Sequence, residues 1–216
     1  MLTTASERPR RPRKAGKFKD ELLPVMVKVR KNSFLFDTDE HFKPDTTVET
    51  LSKLRPAFIT DGTGTVTAGN ASGMNDGASA VVVMAEHIAR ERGIKPLVRA
   101  VSSATAGVDP NVMGLGPVPA IRLALKRAGL SLEDIGLFEL NEAFAAQSLG
   151  CLLELGMEPG SPLYERVNVN GGAIAHGHAL GNSGTRILTT LIYEMKRRGV
   201  RYGLPPFASA AARGLL

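Results

Sequence analysis

Residues 168–188 read NVNGGAIAHGHALGNSGTRIL. A short β-like run, Val167–Asn170, precedes the glycines, and an amphipathic helix is expected over Ser183–Arg198. Ile187, Leu188, Leu191 and Met195 recur on one face of that helix. Lys196, Arg197 and Arg198 stand at its C-terminal end, where the helix dipole favours cations. Between strand and helix, Gly171–Gly184 holds five glycines and two histidines, His176 and His178. A strand, a glycine-rich turn and a helix in succession are the repeating unit of a layered α/β domain.

The unit recurs on the N-terminal side. Leu137–Leu140 reads as a strand and Glu142–Leu155 as a helix stopped by Gly156. Before it, Pro117 opens a helix at a favoured first position. Val118, Ile121, Leu125 and Ala128 form its apolar stripe and Gly129 ends it. Ser131 and Asp134 resemble a capping box. Ala78–Met84 is a continuous apolar run suited to a strand buried on both faces. Glu86–Arg92 reads as a short helix and Leu97–Ser103 as another strand. Residues 1 to about 72 look irregular, with a strand at Leu23–Val29 and a short helix at Thr46–Leu54.

Composition sets outer bounds. With 216 residues, 43% hydrophobic and 22% charged, the chain fits an ordinary globular protein. It has no apolar run long enough for a transmembrane helix, no signal-peptide pattern, and no membrane partner is expected. The single cysteine, Cys151, excludes an internal disulfide framework, and a cytoplasmic location is the expectation. The net charge of +6 is concentrated at the N-terminus, in Arg8, Arg10, Arg11, Arg13, Lys14, Lys17 and Lys19. A nucleic-acid arm would place aromatic residues among such charges to stack on bases. ERPRRPRKAGK has none, so a solvated tail is expected and no nucleic-acid partner.

Three turns rich in small or polar residues sit at the ends of expected strands: 67–77, 141–145 and 170–184. Open α/β sheets bind ligands at the carboxyl ends of their strands. Asn141 directly follows one expected strand, and His178 lies shortly after another. A neutral imidazole there can act as a base or an oxyanion donor. An Asn amide can hold a water or a carbonyl oxygen. The two histidines lack a metal-ligand set, so no metal is expected. A flexible turn remains the alternative.

At this point GKFKDELLPV, LSKLRPAF, GTVTAGNASGMNDGASAVVVM, VDPNVMGLGPVPA, LNEAFAAQ and NVNGGAIAHGHALGNSGTRIL together resemble the thiolases. These are the acetyl-CoA acetyltransferases and 3-ketoacyl-CoA thiolases. The resemblance runs from about Ala15 to Leu204. It departs locally at His176, where many members have Leu, and at Ala179, where many have Pro. It implies an α/β thiolase-like fold, with the C-terminal βαβαβαββ half, part of the loop domain, and an N-terminal half largely missing. The expected division is a CoA-covering loop region over 1–75, a closing strand and helix over 76–95, and the C-terminal domain over 96–216.

The resemblance implies a Claisen condensation and its reverse on coenzyme A thioesters, with no further cofactor. His178 matches the residue that activates a nucleophilic Cys, and Asn141 the residue that holds an oxyanion-site water. Ser72 matches a CoA-contacting serine. Ala68, Leu54, Phe58, Ala143 and Phe144 match the lining of the pantetheine and adenine path, and Gly73 stands beside Ser72. The family is commonly oligomeric. Its acyl-accepting Cys belongs to a segment this sequence does not contain, and Cys151 matches no catalytic position. The second Cys of the family falls at Ala208.

One allowed coding of Pro205–Gly214, preceded by a single base, reads Ala-Thr-Leu-Cys-Ile-Gly-Gly-Gly-Gln-Gly, the family's closing motif. The same operation turns Pro9–Lys14 into Ala-Ala-Ala-Ala-Gln-Lys. A frameshift at both places is the expectation, and it would make much of the basicity a reading artefact. The isolated chain is then expected to be inactive, or a binding partner of a separate N-terminal half, and poorly soluble on its own.

Overall fold

The computed structural model describes residues 16–206 and 212–215. The basic run Arg8–Lys14 and Ala208 lie outside the described residues. Strands β1 (Val25–Val29) and β2 (Asn32–Phe36) form an antiparallel hairpin, followed by helix α1 (Val48–Ser52). Thr47 caps α1 reciprocally with Thr50, which satisfies two donors at the helix start. Helix α2 spans Glu86–Glu91. The rest runs β3 (Ser103–Ala106), α3 (Pro117–Ala128), β4 (Leu137–Phe138), α4 (Ala145–Glu154), α5 (Ala173–His176), α6 (Ser183–Arg198), β5 (Gly203–Leu204) and β6 (Ala212–Leu215).

β4 pairs in parallel with β5, and Phe138 also forms a parallel bridge to Val167. β3 pairs antiparallel with β6. The C-terminal part runs β3, α3, β4, α4, α5, α6, β5, β6, with only a single bridge at Val167 where the Val167–Asn170 strand was expected. The helices expected at 117–128 and 183–198 have the bounds read from their periodicity. The core lies between α3, α4 and the short strands: Ile121, Ile135, Phe138, Leu152, Met157 and Leu204 are buried there. On the other side of β5, α6 turns Ile187 and Leu191 inward, and Leu191 and Met195 close on Gly203. Leu188 and Met195 are partly buried.

Several expectations fail. Ala78–Met84 is not a buried strand: it forms no strand, and Val82 and Val83 are 86% and 87% exposed. An apolar run becomes a strand only when neighbouring strands take its backbone groups. No backbone hydrogen bond engages residues 78–83 among the described residues. The Leu97–Ser103 strand shifts to Ser103–Ala106, the part that β6 pairs with. The helix expected from Glu142 begins at Ala145, because residues 143–145 pair with residues 70–72. Ser131 and Asp134 do bond one another, but no helix follows them. β2 was not foreseen, since the turn at Arg30-Lys31 lacks the glycine that usually marks a hairpin.

Candidate functional site

The site is built where three chain segments meet. Residues 70–75 run between the turn after β4 and the histidine loop. On one side Ser72 N–H donates to the Ala143 carbonyl at 2.9 Å, Ala145 N–H donates to the Asn70 carbonyl at 2.8 Å, and Ala71 bridges Phe144. On the other, His178 N–H donates to the Gly73 carbonyl at 2.9 Å, and Met74 bridges His178. One extended strip of small residues therefore ties both turns together.

Around that strip the structure gathers most residues singled out from the sequence. Phe58 and Phe144 meet edge to face with centroids 6.4 Å apart. Leu54 and Leu51 fill the space above Gly69, and Ala68 is exposed in the same turn. Phe58, Phe144 and Leu54 stay substantially exposed, which leaves an apolar rim beside the polar backbone of Ser72 and Gly73. Met74, Asn75, Ser79, His178, Leu180 and Asn182 line an adjoining cleft. Ser79 and Asn182 hydrogen-bond across it. Asn141 does not line this cleft. It is 1% exposed, and neither atom of its amide has a protein partner among the described residues.

His178 sits above helix α6. Its Nδ1 is 2.6 Å from the Ser183 hydroxyl, which in turn lies 3.0 Å from the Ala179 carbonyl. Burial first, and then the positive charge of Arg186, hold His178 below the ordinary imidazole value, so the ring is neutral near pH 7. His176 has a different role. Its Nε2–H donates to the Asn170 carbonyl at 3.0 Å and its ring meets the edge of Phe18. Burial pushes it down to about 4, which makes it a neutral packing histidine.

Two polar side chains that sequence reasoning passed over hold the turns in place. Asn168 has φ 44° and uses its amide like a short strand. Its Oδ1 accepts from Leu140 N–H at 2.7 Å, and its Nδ2 donates to the Leu140 carbonyl at 2.9 Å and to Glu142 at 2.8 Å. Glu142 also accepts from Ile174 N–H at 3.3 Å, at the start of the His176 turn. The residues on both sides of Asn141 are thereby fixed to the histidine loop. Gly172 permits this: a Cβ there would overlap the Glu142 carboxyl group. Gly177 has φ 87°, and a Cβ there would strike Asn75. Asn and Glu in a turn read as turn formers and solvated charges, so only the fold reveals these bonds.

Cys151 is the sole thiol. It is fully buried on α4, donates toward the Gly114 carbonyl at 3.2 Å, and burial pushes its thiol up to about 11. It is a protonated core residue away from both turns. Among the described residues no group of His, Cys, Asp and Glu could hold a metal ion, and no helix is long and apolar enough to cross a membrane.

Comparison with known proteins decides the family. Residues 94–215 match the thiolase C-terminal domain and residues 5–87 the thiolase N-terminal domain. The chain belongs to the thiolase family. This thiolase-family chain is 54% identical over 200 residues to an acetyl-CoA acetyltransferase of Syntrophomonas wolfei, covering 93% of this chain and 49% of that protein. It is 49% identical to the cytosolic acetyl-CoA acetyltransferase of Mus musculus, covering 100% of this chain and 53% of that one. Its fold superposes on the crystal structure of the Bacillus anthracis acetyl-CoA acetyltransferase with a TM-score of 0.93 at 42% identity, covering 99% and 53% of the two chains. A human mitochondrial 3-ketoacyl-CoA thiolase in complex with CoA gives a TM-score of 0.89 at 43% identity, covering 99% and 52%. The thiolase-family sequence thus spans about half the length of the curated relatives it matches.

Proposed function

We propose that this chain carries the coenzyme A-facing part of a thiolase-type acyltransferase site. The observation that supports it most is the convergence of Ser72, Gly73, Ala143, Phe144, Phe58 and Leu54 on one apolar-rimmed strip that leads to His178. The polar strip suits the amides of a pantetheine arm, and the exposed phenyl rings suit its apolar parts and the adenine. Ala68 borders the same path. Residues 1–75 form the region over the CoA, 76–95 close an N-terminal domain, and 96–216 form the C-terminal domain.

In this reading neutral His178 accepts a proton from an attacking thiol. Asn141, whose buried amide has no hydrogen-bond partner among the described residues, steadies the thioester oxygen through a water. Covalent acyl transfer needs a thiolate. Cys151 is too deep and too weakly acidic to supply it, so the chain alone turns over no substrate. The test is acetoacetyl-CoA thiolysis with free CoA: activity no greater than that of His178→Ala is expected. Turnover well above that control overturns this part of the proposal.

A second reading, an assembly partner of a separate N-terminal half, is supported by the exposed run Val81–Val83, whose backbone makes no hydrogen bond among the described residues. Backbone groups left without partners can pair with a strand from another polypeptide. Co-expression with the part of the Syntrophomonas wolfei relative that this chain does not span should protect amides 78–83 from hydrogen exchange. Unprotected amides in a co-purified complex count against it. The proposed location is the cytoplasm.

A further inference from the structure

We infer that Phe18 is a positioning residue that braces the turn carrying His178. The brace starts in the chain turn over residues 16–22, where the Lys19 and Leu22 N–H groups donate to the Gly16 and Phe18 carbonyls at 3.1 and 3.0 Å. From this turn Phe18 meets His176 edge to face, with centroids 5.3 Å apart and planes at 78°. His176 Nε2–H donates to the Asn170 carbonyl at 3.0 Å. The Asn170 side chain donates to Glu194 at 2.9 Å, and Glu194 accepts from Arg197 at 2.6 and 2.9 Å. Arg197 Nη1–H then donates to the Lys17 carbonyl at 2.8 Å, next to Phe18. The contacts close a circuit that runs from residues 16–22 to the histidine loop, to Asn170, to α6 and back.

A closed circuit fixes each member against two neighbours, where a single contact would let it swing. Asn170 and Glu194 are fully buried, so water does not compete for their bond. One helical turn before Glu194, the Thr190 hydroxyl donates to Glu21 at 2.8 Å and ties the same segment to α6 a second time. Residues 16–22 are thus anchored on the longest helix, and Phe18 is the side chain by which they reach the loop. His176 lies two residues before His178, and Gly177 between them has φ 87°. A glycine in that conformation has no side chain to hold it, so the path into His178 depends on what fixes either side. The His178 N–H is held by the Gly73 carbonyl, and His176 is held by Phe18 and Asn170. The inference rests on the proposed use of His178 as a base, but the brace is readable without substrate.

The test is amide hydrogen exchange of the full chain, read by NMR. In rising urea below the unfolding transition, the wild-type amides of Leu22, His176 and Gly177 should open as one unit with one free energy. Opening of Leu22 and the two loop amides at separate free energies overturns the inference, even if no variant folds. In Phe18→Ala the His176 and Gly177 amides should exchange roughly fivefold to tenfold faster, as expected for a lost ring pair. Amides of α3 should keep wild-type rates, and Phe18→Tyr should restore the loop. Unchanged loop rates in a folded Phe18→Ala overturn the inference. So does an acceleration that α3 shares equally, which marks Phe18 as a general stabiliser. Thiolysis and CoA binding are measured separately, so the brace can fail while the CoA site stands, and the reverse.

Discussion

Replacing Asn168 tests how firmly the two turns are joined. Asn168→Ala removes three hydrogen bonds in a buried place: those to Leu140 N–H, the Leu140 carbonyl and Glu142. Leu140 and Glu142 are each only 4% exposed, so water cannot replace the lost partner without opening the structure. A buried polar group left unsatisfied costs about 1–3 kcal/mol. Three such groups at the low end amount to roughly 3 kcal/mol, and alanine at φ 44° adds about 1 kcal/mol of backbone strain. The expected destabilisation is about 4 kcal/mol, a large share of the stability of an ordinary domain. Asn168→Gly should be about 1 kcal/mol milder, because it relieves the strain but not the lost bonds. The assay is urea unfolding followed by circular dichroism, read as a midpoint shift at constant slope. A loss below about 1 kcal/mol for Asn168→Ala would refute the view that this amide stands in for a strand partner.

Other perturbations probe the same architecture. Gly172→Ala should cost about 1–3 kcal/mol by forcing Glu142 off Ile174, and a neutral effect in the same urea assay would deny the close approach. Burial raises the Glu139 carboxyl to about 8, so this group favours the folded state when protonated. Its contribution is lost as pH rises from about 4.5 toward 8, and Glu139→Gln should raise the melting temperature at pH 9 but not at pH 4. Glu194 runs the other way: burial alone would raise it, but hydrogen bonds from Asn170, Arg197 and Arg198 outweigh that and hold it at about 2. Its contribution is present above about 4.5 and lost as pH falls toward 2, so Glu194→Gln should flatten the acid limb of the stability profile. An unchanged acid limb contradicts it.

Much of this was legible from residue order. α3 and α6 follow from helical periodicity between clear start and stop residues, because each helix carries its own hydrogen bonds. The turn after β4 that carries Asn141 was legible too, but the strand expected at Val167–Asn170 ahead of His178 is only a bridge at Val167. The run Ala78–Met84 misled, because strand formation depends on partners that the run itself does not encode. Asn168 and Glu142 were invisible for the opposite reason. Each is a common loop residue, and its role comes from a neighbour tens of residues away.

The most direct test of a coenzyme A site on this chain is a calorimetric titration of the full 216 residues with coenzyme A, alongside Phe144→Ala. Phe144 is 38% exposed at the rim and stacks edge to face on Phe58, so its removal should spare the core while stripping the ligand's apolar contact. Saturable binding by the wild type and a Kd weaker by roughly tenfold or more in the variant are expected. No saturable binding, or equal affinity in the two proteins, would contradict it.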